Sequence, residues 1–245
     1  MDITACGKVP SGYDPAMISV VIPTLNAQAD LPRTLAALVP AAIEGIVREV
    51  MIADGGSTDA TARIADATGA HFLRAEQGRG QQLAAGAKAA KGPWLLFLHA
   101  DTVLEDGWER EALALMRAVE LGARGETAAV FRHALDDRGV WPAFLSAVVR
   151  LRCLILRLPY GDQGLLISKQ LYGSIGGFKP MTLMEDVDLI RRLGRRRVAF
   201  LRSRAVTSAQ RYRSEGYLRR TLRNFACLGL YYLHVPPRVL TRLYG

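Results

Sequence analysis

The chain has 245 residues, half of them hydrophobic and 22% charged. That composition argues against disorder and suits one large globular domain with a full core. The net charge of +9 is concentrated at one end: residues 190–245 carry 14 Arg against the single Glu215, while residues 1–189 are mildly acidic. Such a basic end meets phosphates, whether of nucleic acid, lipid headgroups or a nucleotide.

Cys6, Cys153 and Cys227 form no CxxC and no zinc spacing, so a reducing compartment is expected rather than a disulfide framework. "MDITACGKVPSGYDP" lacks the basic start and apolar stretch of a signal peptide. No run reaches the roughly 18 apolar residues of a membrane span. A cytoplasmic protein is expected, with contact to the inner face of the membrane through its basic end.

In chain order, residues 1–16 read as a loose leader. "ISVVIP" (18–23) is a β-branched strand, followed by a helix from about Leu31 that Pro40 breaks or kinks. "EVMIAD" (49–54) is a second strand. "GGSTDATARIADATG" gives a turn, a cap and a short helix ending at Gly69. "HFLRA" (71–75) and "WLLFLH" (94–99) are further strands, separated by the Gly-rich turn and Ala-rich helix of "GRGQQLAAGAKAAKG". Alternating apolar strands and helices predict an α/β fold around a mostly parallel sheet.

The pattern then changes. "ETAAVFRHAL" (126–135) is a strand, and residues 141–160 are apolar with Arg150, Arg152 and Arg157 embedded. "GDQGLLIS" is a loop and strand, "GSIGGF" a turn, "MEDVDLIRRLGRR" a helix, and "VAFLRSRAVTSAQRYR" strands. A last helix starts near Glu215.

In parallel sheets ligands sit beyond the carboxyl ends of the strands. Three such ends are candidates here: Pro23-Thr24-Leu25-Asn26, Asp54-Gly55-Gly56-Ser57 and His99-Ala100-Asp101. In extended chain His99 and Asp101 point to the same side, so both can address one metal or one diphosphate. Asp is a hard ligand for Mg2+ or Mn2+, and imidazole suits Mn2+ better. His99 reads equally as a strand-end hydrogen-bonding group. The glycines beside Arg79 open a helix whose N-terminus welcomes an anion. "MEDVDL" places Glu185 and Asp188 on one helix face and Asp186 elsewhere. One of these acids could act as a general base, although acids at a helix start also answer the dipole. Asp162, flanked by glycines in "YGDQG", is either a substrate-positioning acid or an ordinary turn residue.

Taken in order, PTLN, DGGSTD, the Gly-rich helix start, HAD, GGF and MED resemble the inverting family 2 glycosyltransferases over roughly residues 17–213. "FLHADT" and "GDQG" point to a small bacterial subgroup. The resemblance implies a single GT-A domain over 17–213. Its nucleotide half would be 17–122, its acceptor half 123–213, and 214–245 a basic helical extension. It also implies that Pro23, Thr24, Asn26, Asp54, Arg79 and Gln81 bind the nucleotide. Asp101, with His99 in place of the first acid of the metal motif, would hold Mn2+ or Mg2+. Asp186 would be the catalytic base, and Asp162, Gln163, Glu185 and Arg211 acceptor-side or late phosphate contacts.

The implied activity moves a sugar from a nucleotide-diphosphate sugar, UDP-linked, to a hydroxyl of a small or lipid acceptor by single displacement. The alternative is a non-catalytic nucleotide-sugar or membrane-surface binding protein of the same fold, suggested by the basic end and by His99. Nucleic acid is not an expected partner: no aromatic platform or helix-turn-helix accompanies the charge.

Overall fold

The computed structural model describes residues 17–137 and 161–233, most positions between 139 and 149, and residues 235, 240 and 243. The expected leader at 1–16 and the arginines at 150, 152 and 157 lie outside the described residues.

Four apolar segments form the parallel part of the sheet: β1 (Ile18–Thr24), β2 (Val47–Asp54), β3 (His71–Arg74) and β4 (Trp94–Phe97). β1 pairs in parallel with both β2 and β4, and β2 pairs with β3. The chain therefore steps outward from β1 to β3, then crosses back to β4 on the other side of β1. That reversal opens a crevice at the carboxyl ends of β1 and β4, the usual ligand position in such sheets.

The remaining strands are β5 (Thr102–Leu104), β6 (Ala128–Leu135), β7 (Leu165–Ser168) and β8 (Val198–Thr207), completing the order β3-β2-β1-β4-β7-β6-β8-β5. β7 runs antiparallel to β4 and β6, β5 runs antiparallel to β8, and β6 is parallel to β8. The expected α/β architecture is present, and every antiparallel pair includes a strand of the second half, β7 or β8.

The helices are α1 (Leu31–Ala36), α2 (Val39–Ile43), α3 (Thr61–Ala67), α4 (Arg79–Ala89), α5 (Trp108–Glu120), α6 (Lys169–Ser174), α7 (Glu185–Leu193), α8 (Gln210–Glu215) and α9 (Tyr217–Tyr232). Alternate residues of each strand feed two cores. Val20, Ile22, Ile52 and Leu96 pack under α1, α2 and α5. Val21, Met51, Leu95 and Phe97 pack under α4, α7 and α9. Both faces are covered, which is why the strands read as unbroken apolar runs. Gly86 lets α4 press on β1, since a Cβ there would run into Val21 Cγ1.

One expectation holds and two change. Pro40 divides the first helix into α1 and α2 and sits in the opening turn of α2, where its missing N–H costs nothing. The MED helix stops at Gly194, and a 3-10 turn, Arg195–Arg197, follows. Residues 210–213, read as strand, belong to helix α8. β8 ends at Thr207, where its pairing with both neighbours stops: Thr207 stands opposite Thr102, the first residue of β5, and Leu135, the last of β6.

Candidate functional site

The strand ends build the first wall. Thr24 pairs in register with Asp54 across β1 and β2. The two turns beyond are tied together by their own polar groups. Asn26 adopts φ 51, a left-handed conformation that Asn tolerates. Its N–H donates to Ser57 Oγ at 2.7 Å, and its Oδ1 accepts the Thr58 N–H at 2.9 Å. The Gln28 N–H donates to Asp59, and the Ala60 N–H to Gln28.

Asp54 anchors this knot. It accepts from Thr24 Oγ1 and from the Gly56 N–H, both at 2.9 Å, and from the Ser57 N–H at 2.8 Å and Ser57 Oγ at 2.5 Å. Burial pushes its carboxyl up, but these hydrogen bonds outweigh it and hold Asp54 below the usual range. Gln82, buried on α4, donates through Nε2 to the carbonyls of Thr24 and Ala53 at 2.7 and 2.8 Å, closing the same strand ends from below.

The Gly-rich start of α4 serves the next wall. The Gly80 N–H donates to the Met181 carbonyl at 3.1 Å, and a Cβ at Gly80 would collide with the backbone of Lys179 and Met181. The loop before α7 thus lies directly on α4. From its far side, Arg192 holds the same loop through the carbonyls of Ile175 and Gly177 while pairing with Asp188 at 2.6 Å.

Two acids at the start of α7 then take separate places. Glu185 is buried and meets Arg79 Nε at 2.7 Å. Burial raises its carboxyl to about 7, with Arg79 pulling the other way. Asp186 turns to the opposite side, where Oδ2 accepts the Gly161 N–H and Oδ1 accepts its neighbour Val187 N–H, both at 2.7 Å. Asp188 faces Lys179 and Arg192 and stays outside the cavities.

Antiparallel pairing of β4 with β7 places Phe97 opposite Leu165. The 3-10 turn Gly161–Gln163, just before β7, is thereby laid beside His99. A Cβ on Gly161 would stand 2.8 Å from His99 Nε2 and 3.3 Å from Asp186 Oδ2. Glycine here lets imidazole and carboxylate approach one backbone point from two elements. Burial, and then the Arg79 guanidinium, hold His99 below its ordinary value against the pull of Asp101, Asp162 and Asp186. His99 is therefore a neutral imidazole at neutral pH, with a lone pair to offer.

After His99 the chain is not extended. The Thr102 N–H bonds back to the His99 carbonyl at 3.2 Å, making a tight turn that still delivers both His99 and Asp101 to the crevice. The Asp101 carbonyl accepts the Ser208 N–H at 3.0 Å, which brings the end of β8 to the same place.

Two cavities meet at these residues. The larger, about 550 Å³, is lined by Pro23, Thr24, Asn26 and Asp30 on one side and by Gly78 and Thr182 on another. The smaller, about 110 Å³, is lined by Asp162, Asp186, Thr207, Tyr212, Arg220 and Asn224. Arg79, His99, Asp101, Ser208 and Arg211 line both, so the two form one cleft with these residues at its waist. The larger volume lies in the range of small-molecule sites.

Residues 19–163 match the family described as glycosyl transferase family 2, more than half of the chain. The chain belongs to that family. Among curated relatives, a PGL/p-HBAD biosynthesis glycosyltransferase of Mycobacterium bovis is 35% identical over 115 residues, covering 42% of this chain and 41% of that protein. A glucosyl-3-phosphoglycerate synthase of Mycobacterium tuberculosis is 33% identical over 106 residues, covering 40% and 32%. The match thus spans about two fifths or less of those relatives' lengths.

Among solved structures, glucosyl-3-phosphoglycerate synthase from Mycobacterium tuberculosis, in complex with Mn2+, UDP-glucose and glycerol 3-phosphate, aligns with a TM-score of 0.54 at 25% identity. The alignment covers 76% of this chain and 70% of that one. S. aureus TarS aligns at 0.61 with 18% identity, covering 79% and 60%, a likeness of fold.

In this family 2 chain the cleft brings together Pro23, Thr24, Asn26, Arg79, His99, Asp101, Asp162, Asp186 and Arg211. Thr24 reaches the cavity with its hydroxyl already given to Asp54. Asp54 itself stands behind the wall, its oxygens occupied. Gln81 lines neither cavity; its Oε1 is buried beside Gly78 without a partner among the described residues. Gln163 turns into the body and donates to the Phe131 carbonyl at 3.0 Å. Glu185 acts on the cleft through Arg79.

Sequence reasoning missed Asp30, Gln82, Tyr212 and Asn224. Asp30 carries one signal: burial and nearby Asp101 push its carboxyl up, while Arg33 and Arg211 oppose them. Gln82 could have been preferred to Gln81 only by knowing which face of α4 meets β1.

Proposed function

We propose that this chain moves a hexosyl group from a nucleoside diphosphate sugar, UDP-linked, to an acceptor hydroxyl with inversion. On this reading it belongs to the small bacterial subgroup that carries FLHADT and GDQG. The observation that carries the reading is the placement of Asp186. Its carboxylate is fixed by two backbone N–H groups and lines the smaller cavity where it joins the larger one at His99 and Asp101.

The donor's nucleoside occupies the larger cavity, against Pro23 and Asn26. Its diphosphate lies at the waist, near Arg79 and Arg211. The acceptor enters the smaller cavity and presents a hydroxyl to Asp186, which takes its proton as the oxygen attacks the anomeric carbon from the face opposite the diphosphate. Arg211 forms no ion pair among the described residues and offers its charge to both cavities.

A divalent cation fits the waist. Asp101 offers hard oxygens and His99 a neutral imidazole nitrogen, a small donor set of the kind that leaves the remaining positions to phosphate and water. Among the described residues no three His, Cys, Asp or Glu side chains form a closed metal cage, consistent with an ion shared with the donor. The chemistry such an ion supplies is neutralisation of charge on the departing diphosphate. Relatives crystallised with UDP and Mn2+ or Mg2+ support that assignment.

The test is a panel of sugar nucleotides scored for nucleoside diphosphate release with Mn2+, Mg2+ or a chelator. Release from a UDP-sugar, lost with chelator, is expected. Nucleotide binding with no release from any donor under any condition would instead favour the non-catalytic binding protein.

A further inference from the structure

Helix α9 presents two apolar faces, and only one is covered. Cys227 and Leu228 are buried in the core beneath it, while Arg220 and Asn224 line the smaller cavity. Leu218, Leu222 and Phe225 stand 62%, 60% and 45% exposed, and Tyr232 and Leu233 43% and 75%. At 100° per residue the four helical positions fall within an arc of about 80°. Exposed Gly229 lies inside that arc. An apolar stripe of this length left in solvent marks an interaction surface.

Charge decides the partner. From residue 217 to 233 there is no acid. Arg219 is exposed on one flank of the stripe, and Arg191 stands over the rings of Tyr231 and Tyr232 at its far end. The nearest acid in sequence, Glu215, is occupied by Arg220 and Arg223, and Asp137, which accepts from Tyr217 Oη at 2.6 Å, pairs with Arg213. Leucine and aromatic side chains edged by arginine are what an anionic lipid interface accepts: rings and aliphatic groups enter the acyl boundary and guanidinium groups stay with the phosphates. A second copy of the chain fits worse, since two-fold pairing of this face would set arginine against arginine.

We propose that the exposed face of α9 docks on an anionic lipid bilayer, seating the smaller cavity, formed in part by the opposite face of the same helix, at the membrane. The docking does not depend on sugar transfer. Among the described residues no helix is long and apolar enough to cross a membrane, so the contact is peripheral. A second exposed group, Val140, Trp141 and Phe144, belongs to the segment whose Leu145 and Val149 pack with Tyr212 and Tyr217, at the α8–α9 corner. It extends the apolar surface beside the start of α9.

The experiment is co-sedimentation of the full chain with vesicles of phosphatidylglycerol and phosphatidylcholine, against vesicles of phosphatidylcholine alone. Binding to the anionic vesicles is expected, weakened by salt and by Arg219→Gln. Joint Leu222→Gln and Phe225→Gln substitution should lower partitioning at least about tenfold. The same double variant should keep its thermal midpoint and its donor cleavage in vesicle-free buffer, which separates this proposal from the transferase reading. A wild-type chain that stays in the supernatant at low salt, or a double variant that binds as wild type, overturns the proposal. So does a solution dimer that the double substitution dissolves without any vesicle binding.

Discussion

The two halves of the cleft are built differently. On the side of the larger cavity, proposed for the donor, the turns after β1 and β2 satisfy one another: Asp54, Asn26, Ser57, Gln28 and Asp59 exchange hydrogen bonds, and Gln81 Oε1, beside Gly78, is the buried atom left without a partner among the described residues. On the side of the smaller cavity, proposed for the acceptor, more buried polar atoms remain without partners among the described residues: Asp162 Oδ1, His133 Nδ1 and Asn224 Oδ1. A buried polar atom without a partner is costly. On the function proposed above, a scaffold for an unvarying nucleotide is finished in advance, whereas groups that meet an acceptor's hydroxyls are completed by the acceptor.

That contrast can be broken at several points. The largest effect is expected at the seam. Gly161→Ala would drive a methyl against His99 Nε2 and Asp186 Oδ2, and kcat should fall by about 10²-fold or more while the folded chain persists. Steady-state kinetics with thermal melting would check this.

Asp54→Ala should instead act on stability. Stripping the acceptor from Thr24, Gly56 and Ser57 should cost about 2–3 kcal/mol in urea unfolding. A large loss of nucleotide affinity without loss of stability would make Asp54 a ligand contact rather than an anchor.

Glu185 separates the two sides by pH. Its folded value of about 7 lies above its ordinary 4.5, so the folded chain holds that proton more tightly. The associated stability is fully present below pH 4.5 and is lost as pH rises through about 7. Glu185→Gln should flatten that slope in thermal midpoints measured across the window, by up to about 3 kcal/mol.

The smallest effect is expected at Asp162, whose Oδ2 lies 3.5 Å from His133 Nε2. Asp162→Asn should raise the acceptor KM several-fold and leave the donor KM unchanged. Equal changes in both would erase the distinction between the halves.

The donor half was legible because its signals are local: apolar strands, capped turns and a Gly-rich helix start lie within a few residues of one another. The acceptor half was not, because its geometry depends on pairings far apart in sequence. Gly161 meets His99 only through the β4–β7 register, and Ser208 meets Asp101 only through β5, a three-residue strand too short to show a period. His99 and Asp101 share one cleft, as the i, i+2 spacing implied, but through a turn rather than an extended chain. The acid triplet in MEDVDL could not be resolved by helical angle alone. Arg79, from α4, draws Glu185 inward, and Gly161, from the turn before β7, fixes Asp186.

The central claim is that Asp186 takes the acceptor's proton in a cleft that binds a nucleotide sugar. The most direct measurement pairs two readouts on Asp186→Asn: calorimetric affinity for UDP with Mn2+, and the rate of UDP release from the active donor with acceptor present. Affinity within about threefold of wild type and a rate lower by about 10²–10⁴-fold are expected. A variant that turns over at the wild-type rate would contradict it.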